Sequence, residues 1–321
     1  MSQPQVSILM PMYNAEGFVE RALRSLLQEQ RVALEVIVID HQSRDRSVTR
    51  VQGIQDPRLR LVTAQGGGIA DALNLGLGLA RGEFLSRCDA DDSYPADRLP
   101  GQIQWLQQHP EFGAVCGNYA VINHQDQLIT RFNCGDQEAD ITPELRDGIT
   151  RTHLGTFLLR TQVVRQLGGF RAYFTTAEDI DLQLRLGDSY RVGYRPPVAY
   201  YYRIHGDSIT HRIASNQREF FDQVAQRLQR QRHHTGRDDL DRGCPPAVPV
   251  GKGPAHRATN HIQGFLIGRA WQELERGDPL RAVVTGLQAG LTAPLNIPAW
   301  RPILVLWGKG LVQLVGGRRR G

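Results

Sequence analysis

The stretch Glu83–Asp92, which reads Glu-Phe-Leu-Ser-Arg-Cys-Asp-Ala-Asp-Asp, places three carboxylates at the end of a short apolar run. The run predicts a buried β-strand, and charge at the edge of a core is unfavourable unless a cation offsets it. Residues two apart in an extended chain point the same way, so Asp89 and Asp91 could share one divalent metal ion, whereas Asp92 points elsewhere. A solvated acidic turn that caps the next helix is the alternative interpretation.

Three further strands are predicted before this stretch, each followed by a helical pattern. Apolar runs at residues 6–10, 34–39 and 58–62 indicate these strands. Continuous apolar strands are typical of parallel sheets, which are buried on both faces, and the intervening helices are long enough for parallel crossovers. The sequence therefore predicts an α/β fold with a Rossmann-like, mostly parallel central sheet flanked by helices. Such sheets bind ligands at the carboxyl ends of their strands, which weakens the acidic-turn interpretation.

Polar or flexible residues follow each predicted strand and could contact a nucleotide. An aspartate at the end of a buried strand can accept a hydrogen bond from a base or a ribose hydroxyl. Glycines allow close backbone approach, but those around Gly68 match neither the dinucleotide fingerprint nor the Walker loop, so a plain turn is the alternative. The candidates for nucleotide binding are Pro11, Tyr13, Asn14, Asp40, Gly68 and Asp89.

Composition limits the class of protein. Hydrophobic residues at 40% and charged residues at 22% indicate a soluble globular chain. A net charge of +5 suggests acidic partners, namely nucleotide phosphates, anionic lipid or nucleic acid. The four cysteines form no C-x-x-C pair, which argues against a zinc site and fits a reducing compartment. Without a signal-peptide pattern or an apolar run of roughly 18 to 20 residues, we expect a cytoplasmic protein.

A second acidic centre lies at Thr176–Leu182, where Glu178, Asp179 and Asp181 fall in the first turn of a predicted helix. The helix dipole favours acids at this position, so helix capping is one interpretation. A part in the chemistry of the site is the other interpretation. His153 is a further candidate for such a part, with a structural histidine as its alternative.

These motifs together resemble the inverting family 2 glycosyltransferases of GT-A fold. The resemblance is carried by Val6–Asn14 (Val-Ser-Ile-Leu-Met-Pro-Met-Tyr-Asn), the strand ending at Asp40, Gly68–Asn74, Ala80–Leu85 and the Asp-Ala-Asp-Asp cluster. It extends over residues 6–210. The resemblance implies a nucleotide-sugar donor, usually a UDP- or GDP-sugar, and a divalent metal, Mn or Mg, at a DXD motif.

The resemblance also implies roles for single residues. Asp40 would bind the nucleobase of the donor, Asp89 would contact ribose or sugar, and Asp91 would hold the metal and through it the diphosphate. Asp179 would be the general base that takes the proton from the acceptor hydroxyl. His205, in a Tyr-Arg-x-His segment, would complete the metal shell.

Supporting roles follow from the same resemblance. Glu178, His153, Asp92 and Arg203 are candidates to contact the acceptor or to support the site, and Arg203 could pair with phosphate. The sequence departs from the family after Asp40, where His41-Gln42 replaces an acidic residue and a glycine that the family often has. Because of this departure, the sequence does not identify which nucleobase the protein binds.

The predicted catalytic domain spans residues 1–212, with a nucleotide-sugar half at about 1–95 and an acceptor half at about 96–212. A helical extension covers 213–321 and includes a linker at about 235–255 and an apolar, basic tail at 297–321. The tail either contacts an anionic membrane or folds back on the preceding helices.

The implied function is inverting sugar transfer to a saccharide or lipid-linked saccharide, in surface polysaccharide or glycolipid synthesis at the inner face of the cytoplasmic membrane. No nucleic-acid partner is expected. A nucleotidyltransferase and a catalytically idle nucleotide-sugar-binding protein are the alternatives.

Overall fold

The computed structural model describes residues 3–205, 215–249, 258–275 and 277–317. Within these ranges a nine-stranded sheet is flanked by helices. The strands are β1 (Val6–Met12), β2 (Leu34–Asp40), β3 (Leu59–Thr63), β4 (Phe84–Arg87), β5 (Phe112–Ile122), β6 (Leu128–Phe132), β7 (Ala139–Asp140), β8 (Leu158–Arg160) and β9 (Arg191–Arg203).

The described helices lie between and after the strands. They are α1 (Val19–Leu27), α2 (Ser47–Gln52), α3 (Ile69–Leu79), α4 (Arg98–Gln108), α5 (Thr142–Arg146), α6 (Thr161–Gln166), α7 (Glu178–Ser189), α8 (Ser215–Thr235), α9 (Ala258–Glu275), α10 (Pro279–Thr292) and α11 (Ile297–Gly317).

The first four strands form the parallel part of the sheet, as the sequence predicts. The strand order is β3-β2-β1-β4-β8-β5-β9-β7, with β6 paired to β5. β1 pairs in parallel with β2 and β4, and β2 pairs in parallel with β3. Every residue of β2 is buried, because helices cover both faces of a parallel sheet. The carboxyl ends of β1, β2 and β4 therefore meet at one edge.

The sheet continues in antiparallel pairs beyond β4. β8 runs antiparallel to both β4 and β5, and β7 runs antiparallel to β9. The predicted nucleotide and acceptor halves thus share one sheet.

Glu35 is the buried acid inside the apolar β2. Its carboxylate accepts hydrogen bonds from Ser7 Oγ at 2.7 Å and from Arg81 Nη2 at 2.8 Å. Burial opposes ionisation, but the hydrogen bonds from Arg81 and Ser7 prevail and hold the pKa of Glu35 below its usual value. The acid thereby ties the turn before β4 to β1 and β2.

The described chain forms two compact units. The first contains residues 3–120, 132–203 and 216–249, and the second contains 121–131, 204–205 and the helices after residue 257. The predicted boundary at residue 212 stays a prediction, but α8 lies with the first unit. Phe221, Val224 and Leu228 of α8 pack with Phe174 and Leu184.

Part of the predicted linker is also fixed to the first unit. Arg171 pairs with Asp238 at 2.6 Å and with Asp241 at 3.0 Å, and the Tyr173 hydroxyl donates to the carbonyl of Pro246 at 2.9 Å. Residues 238–246 are therefore held to the first unit by these contacts.

The second unit packs three helices on the tip of the β5–β6 hairpin. Leu266, Ala289 and Ile303 form a cluster with Ile129 of the hairpin, and Arg269 donates to the Ile129 carbonyl at 2.7 Å. Ile303 and Leu306 of the predicted tail are buried, so the described tail folds back in part. Among the described helices, none is both long and apolar enough to cross a membrane.

Candidate functional site

The loops after β1 and β2 are joined at the carboxyl edge of the sheet. Asp40 is buried at the end of β2, and its carboxylate accepts the Ser43 N–H at 3.2 Å. Asn14 has a positive φ of 48°, its N–H donates to Ser43 Oγ at 3.0 Å, and its Oδ1 accepts the Arg44 N–H at 2.8 Å. Pro11 precedes this loop as a half-buried residue of β1. Hydrogen bonds between side chains and backbone N–H groups thus hold together the two loops that carry these predicted nucleotide-binding residues.

His41 links this edge to the glycine turn. Its Nε2 lies 2.8 Å from the carbonyl oxygen of Gly67, and its ring meets Tyr13 edge to face at 6.2 Å between centroids. The Gly68 N–H donates to the Asp71 carboxylate at 2.8 Å. Gly67 has a φ of 83°, and a Cβ there would overlap Asp71, so this position requires glycine. The segment that departs from the family therefore helps to hold the turn.

Residues of β9 hold the Asp89–Asp92 turn through hydrogen bonds. Asp92 is buried and accepts hydrogen bonds from the Tyr200 hydroxyl at 2.7 Å and the Arg203 N–H at 2.6 Å. The Asp89 N–H donates to the same Tyr200 oxygen at 3.1 Å, and Arg203 Nε donates to the Asp91 carbonyl at 2.6 Å. Burial, reinforced by the neighbouring carboxylates, raises the pKa of Asp92 well above its usual value. Asp92 and Arg203 thus support the turn.

Arg87 connects this turn to the second acidic centre. The side chain is largely buried, and it donates from Nε to Asp89 Oδ1 at 2.6 Å and from Nη2 to Asp89 Oδ2 at 3.1 Å. Its Nη1 donates to Glu178 Oε1 at 2.8 Å. Burial disfavours the guanidinium charge, but Asp89 and Glu178 outweigh it and keep the pKa of Arg87 well above its usual value. One arginine therefore brings the end of β4 to the start of α7.

The three acids at the start of α7 have different surroundings. Burial raises the pKa of Glu178 to about 7, although Arg87 acts against this shift. Asp181 is fully buried and pairs with Arg185 at 2.8 Å, which is a structural contact. Asp179 is half-buried beside Glu178. Ala177, which precedes them, has a left-handed φ of 64°, a conformation that is strained for a residue with a Cβ.

His153 lies near both acidic centres. Its Nδ1 accepts the Gly155 N–H at 3.0 Å, and its ring stacks on Tyr200 at 5.4 Å. Burial lowers the pKa of His153, while the charges of Asp179 and Asp89 act in the opposite direction. The ring is thus favoured as a neutral imidazole close to both carboxylates. Its contact with an acceptor stays a prediction.

Sequence reasoning missed two residues at this site. Arg87 stands two residues before Asp89, and this spacing on an extended strand was the available signal. Asp222 of α8 gave no such signal. Burial raises the pKa of Asp222 to about 6; Arg218 opposes the shift and the charge of Asp179 adds to it. The fold therefore brings a further carboxylate near Asp179.

The predicted metal ligands stay predictions. Asp91 is half-buried at the turn, and His205 is the last described residue before residue 215 and belongs to the second unit. Among the described residues, no three His, Cys, Asp or Glu side chains are grouped to hold a metal ion by themselves.

Replacing Arg87 by methionine should lower the free energy of unfolding by about 3–5 kcal/mol, because it leaves the buried Glu178 carboxylate without its cation. Urea unfolding followed by circular dichroism measures this loss. Arg87→Lys should lose less, since an ammonium keeps the charge but cannot span both carboxylates. The exposed Arg24→Met is the matched control and should change stability by at most about 0.5 kcal/mol. Equal stabilities for the Arg87→Met and Arg24→Met variants would contradict the bridge.

Comparison with known proteins identifies the family. Residues 7–175 match the family model described as glycosyl transferase family 2. An uncharacterised glycosyltransferase of Haemophilus influenzae is 34% identical over 136 residues, which are 40% of this chain and 54% of that protein.

Two relatives have named activities. The Escherichia coli UDP-Glc:alpha-D-GlcNAc-diphosphoundecaprenol beta-1,3-glucosyltransferase WfgD is 34% identical over 128 residues, 40% of this chain and 50% of that protein. The chondroitin synthase of Pasteurella multocida is 25% identical over 233 residues, 71% of this chain and 24% of that protein. The chain therefore spans about half the length of two of these three relatives and about a quarter of the third.

Solved structures show the same fold. The crystal structure of Staphylococcus aureus TarS 1–349 in complex with UDP-GlcNAc superimposes with a TM-score of 0.61 at 16% identity, covering 97% of this chain and 92% of that one. At this identity the likeness concerns the fold alone. Together with the family match and the strand-end carboxylates, it shows that the chain belongs to glycosyl transferase family 2 and has the GT-A fold.

Proposed function

We propose that this glycosyltransferase is inverting and moves a sugar from a UDP- or GDP-sugar to a saccharide or lipid-linked saccharide. The observation that carries the proposal is the Arg87 bridge, which holds Asp89 and Glu178 to one guanidinium. Because Asp179 follows Glu178 in the chain, the bridge keeps a donor-side carboxylate and a candidate base in one small region. That proximity is what direct transfer between donor and acceptor requires.

Donor binding is assigned to the carboxyl edge of the sheet. Asp40 would accept from the base, and Tyr13 offers an exposed ring beside it. The Gly66–Gly68 turn would allow the donor to approach the backbone closely. Support for this donor class comes from relatives, since the E. coli enzyme is named for UDP-Glc and TarS was crystallised with UDP-GlcNAc.

One of the three carboxylates in the Asp89–Asp92 turn is proposed to bind a divalent metal. We assign the metal to Asp91, as the resemblance implies. Asp91 is half-buried at the turn, beside Asp89, which pairs with Arg87, and Asp92, which is buried against Tyr200. Mg²⁺ sites commonly use one or two carboxylates together with substrate phosphates, which this arrangement fits. A bound Mn²⁺ or Mg²⁺ would offset the charge that develops on the departing nucleoside diphosphate. His205 is the proposed additional ligand.

Asp179 is proposed as the general base. It would take the proton of the acceptor hydroxyl as the oxygen attacks the anomeric carbon, and the bond to the diphosphate would break on the opposite face. Glu178 is fixed by Arg87 and would orient the start of α7 rather than take the proton. A single displacement of this kind inverts the anomeric configuration.

The acceptor is proposed from the relatives and the chain's charge. The E. coli relative is named for a diphosphoundecaprenol-linked sugar, and the P. multocida relative for chondroitin synthesis. A basic chain with net charge +5 suits a diphosphate-linked acceptor at the inner face of the cytoplasmic membrane. Synthesis of a surface polysaccharide or glycolipid is the process we propose.

A donor panel tests the proposal. The full chain is incubated with UDP- and GDP-sugars and MnCl₂, and release of nucleoside diphosphate is measured with and without saccharide acceptors. We expect release from one donor, and NMR of the product should show an anomeric configuration opposite to that of the donor. Retained configuration would overturn the inverting mechanism. Donor binding without any release would favour the idle binding protein, and release of pyrophosphate would favour a nucleotidyltransferase.

A further inference from the structure

One side of α10 carries a stripe of exposed aliphatic side chains. Leu280, Val284, Leu287 and Leu291 recur at spacings of four, three and four residues, which places them on one side of a helix. Each is at least 45% exposed. Of the thirteen exposed large hydrophobic residues in the described chain, eight lie between residues 280 and 305. This concentration differs from the scattered apolar residues of an ordinary surface.

The stripe is not needed for packing within the second unit. The opposite side of α10 consists of small buried residues, and Ala282 and Ala289 pack in clusters with α9 and α11. Gly286 lies against Leu306 and Trp307, and Gly290 lies against Trp300. The contacts of α10 with its neighbouring helices thus leave Leu280, Val284, Leu287 and Leu291 outside.

α11 adds to the same apolar surface. Ile303 and Leu306 face inward, whereas Ile297 and Leu304 are each more than half exposed. On α11, Leu304 lies nearer to the side that contacts α10 than to the side that contacts α9, as helical spacing from Trp300 and Trp307 indicates. We call the α10 stripe together with Ile297 and Leu304 the α10–α11 face.

The charges after Asp278 indicate what binds the α10–α11 face. After Asp278 the sequence contains no acidic residue, and its charged side chains are Arg281, Arg301, Lys309 and Arg318–Arg320, of which the last three lie outside the described residues. Lys309 lies over the Trp271 ring of α9 and Arg281 lies 3.4 Å from Asp278, so the described charges beside the face are Arg301 and the exposed Arg281. Arg301 is exposed beside Leu304 and Val305. A second copy of this chain would bring like charges together across the face, whereas anionic lipid headgroups would neutralise them.

We infer that the α10–α11 face docks on the surface of a bilayer that contains anionic lipid. Its aliphatic side chains enter the headgroup boundary, and the basic side chains remain at headgroup level. The site extends beyond the predicted tail, because α10 supplies most of the α10–α11 face. The inference does not depend on the sugar donor or acceptor, and its test uses neither.

Vesicle sedimentation of the full chain tests the face. Vesicles of phosphatidylcholine with about one third phosphatidylglycerol are compared with pure phosphatidylcholine at low and high salt. The wild type should bind the anionic vesicles at low salt. The triple variant Leu280→Ser, Leu287→Ser, Leu291→Ser should bind about tenfold or more weakly, because it removes apolar area without touching the core.

Matched controls separate this site from general surface effects. Leu128→Ser with Ile149→Ser removes apolar side chains of similar exposure elsewhere and should bind vesicles like the wild type. Arg281→Gln with Arg301→Gln leaves the stripe intact and should reduce binding to anionic vesicles and its salt dependence, which covers the case that the triple variant fails to fold.

Three results would overturn the inference. They are a wild type that binds neither kind of vesicle, a folded triple variant that binds like the wild type, and a lipid-free wild-type dimer, seen by analytical ultracentrifugation, that the triple variant abolishes. The last result would assign the face to a second copy of the chain.

Discussion

The Asp179→Asn enzyme is expected to transfer sugar about 10²-fold or more slowly than the wild type while it binds nucleotide with nearly the same affinity. An amide keeps the size of the carboxylate but cannot accept the acceptor's proton. Because Arg87 contacts Glu178 and Asp89 rather than Asp179, the substitution should leave the bridge intact. Turnover with a saturating donor and calorimetric titration with nucleoside diphosphate measure the two quantities separately.

Two neighbouring acids serve as comparisons for Asp179. Asp222→Asn removes the carboxylate that α8 brings near Asp179, and Glu178→Gln removes the partner of Arg87. If either variant loses turnover while Asp179→Asn retains it, that residue is the base and the assignment is wrong. If all three keep turnover, none of these carboxylates is the base.

The Asp91→Asn enzyme is expected to lose metal-dependent donor binding. The amide preserves shape but removes the negative charge that a hard cation requires. The loss of metal-dependent affinity should be larger than the loss on replacing a residue that only contacts a metal ligand, which is typically about 10- to 100-fold. Calorimetry with UDP or GDP, in MnCl₂ and then in EDTA, isolates the part of the affinity that depends on metal.

Asp92→Asn is the matched control for Asp91→Asn. Asp92 is buried against Tyr200 and the Arg203 N–H, so its replacement should change stability more than the metal dependence of binding. Undiminished metal-dependent binding by Asp91→Asn would place the metal elsewhere. A wild type whose nucleotide affinity is the same in MnCl₂ and EDTA would remove the metal from the proposed mechanism.

Local patterns in the sequence determined the parallel part of the fold. Largely apolar runs predict strands buried on both faces, and this holds for β1 and β2 because each such run needs cover from helices on both sides. The shorter β4, Phe-Leu-Ser-Arg, is buried in the same way between β1 and β8. The same reasoning predicts that Asp40 and Asp89 come together, since parallel strands end at one edge.

Only the tertiary structure decided which distant residues complete the site. Arg87 meets Glu178, Tyr200 meets Asp92, and α8 brings Asp222 toward Asp179, and no local spacing relates the members of these pairs. The exposure of the α10 stripe was likewise decided only by the tertiary structure. An apolar pattern at helical spacing predicts a helix, but it does not tell which of two apolar sides the neighbouring helices cover. Which side stays outside depends on where the neighbouring helices pack, and this is set by contacts far apart in the chain.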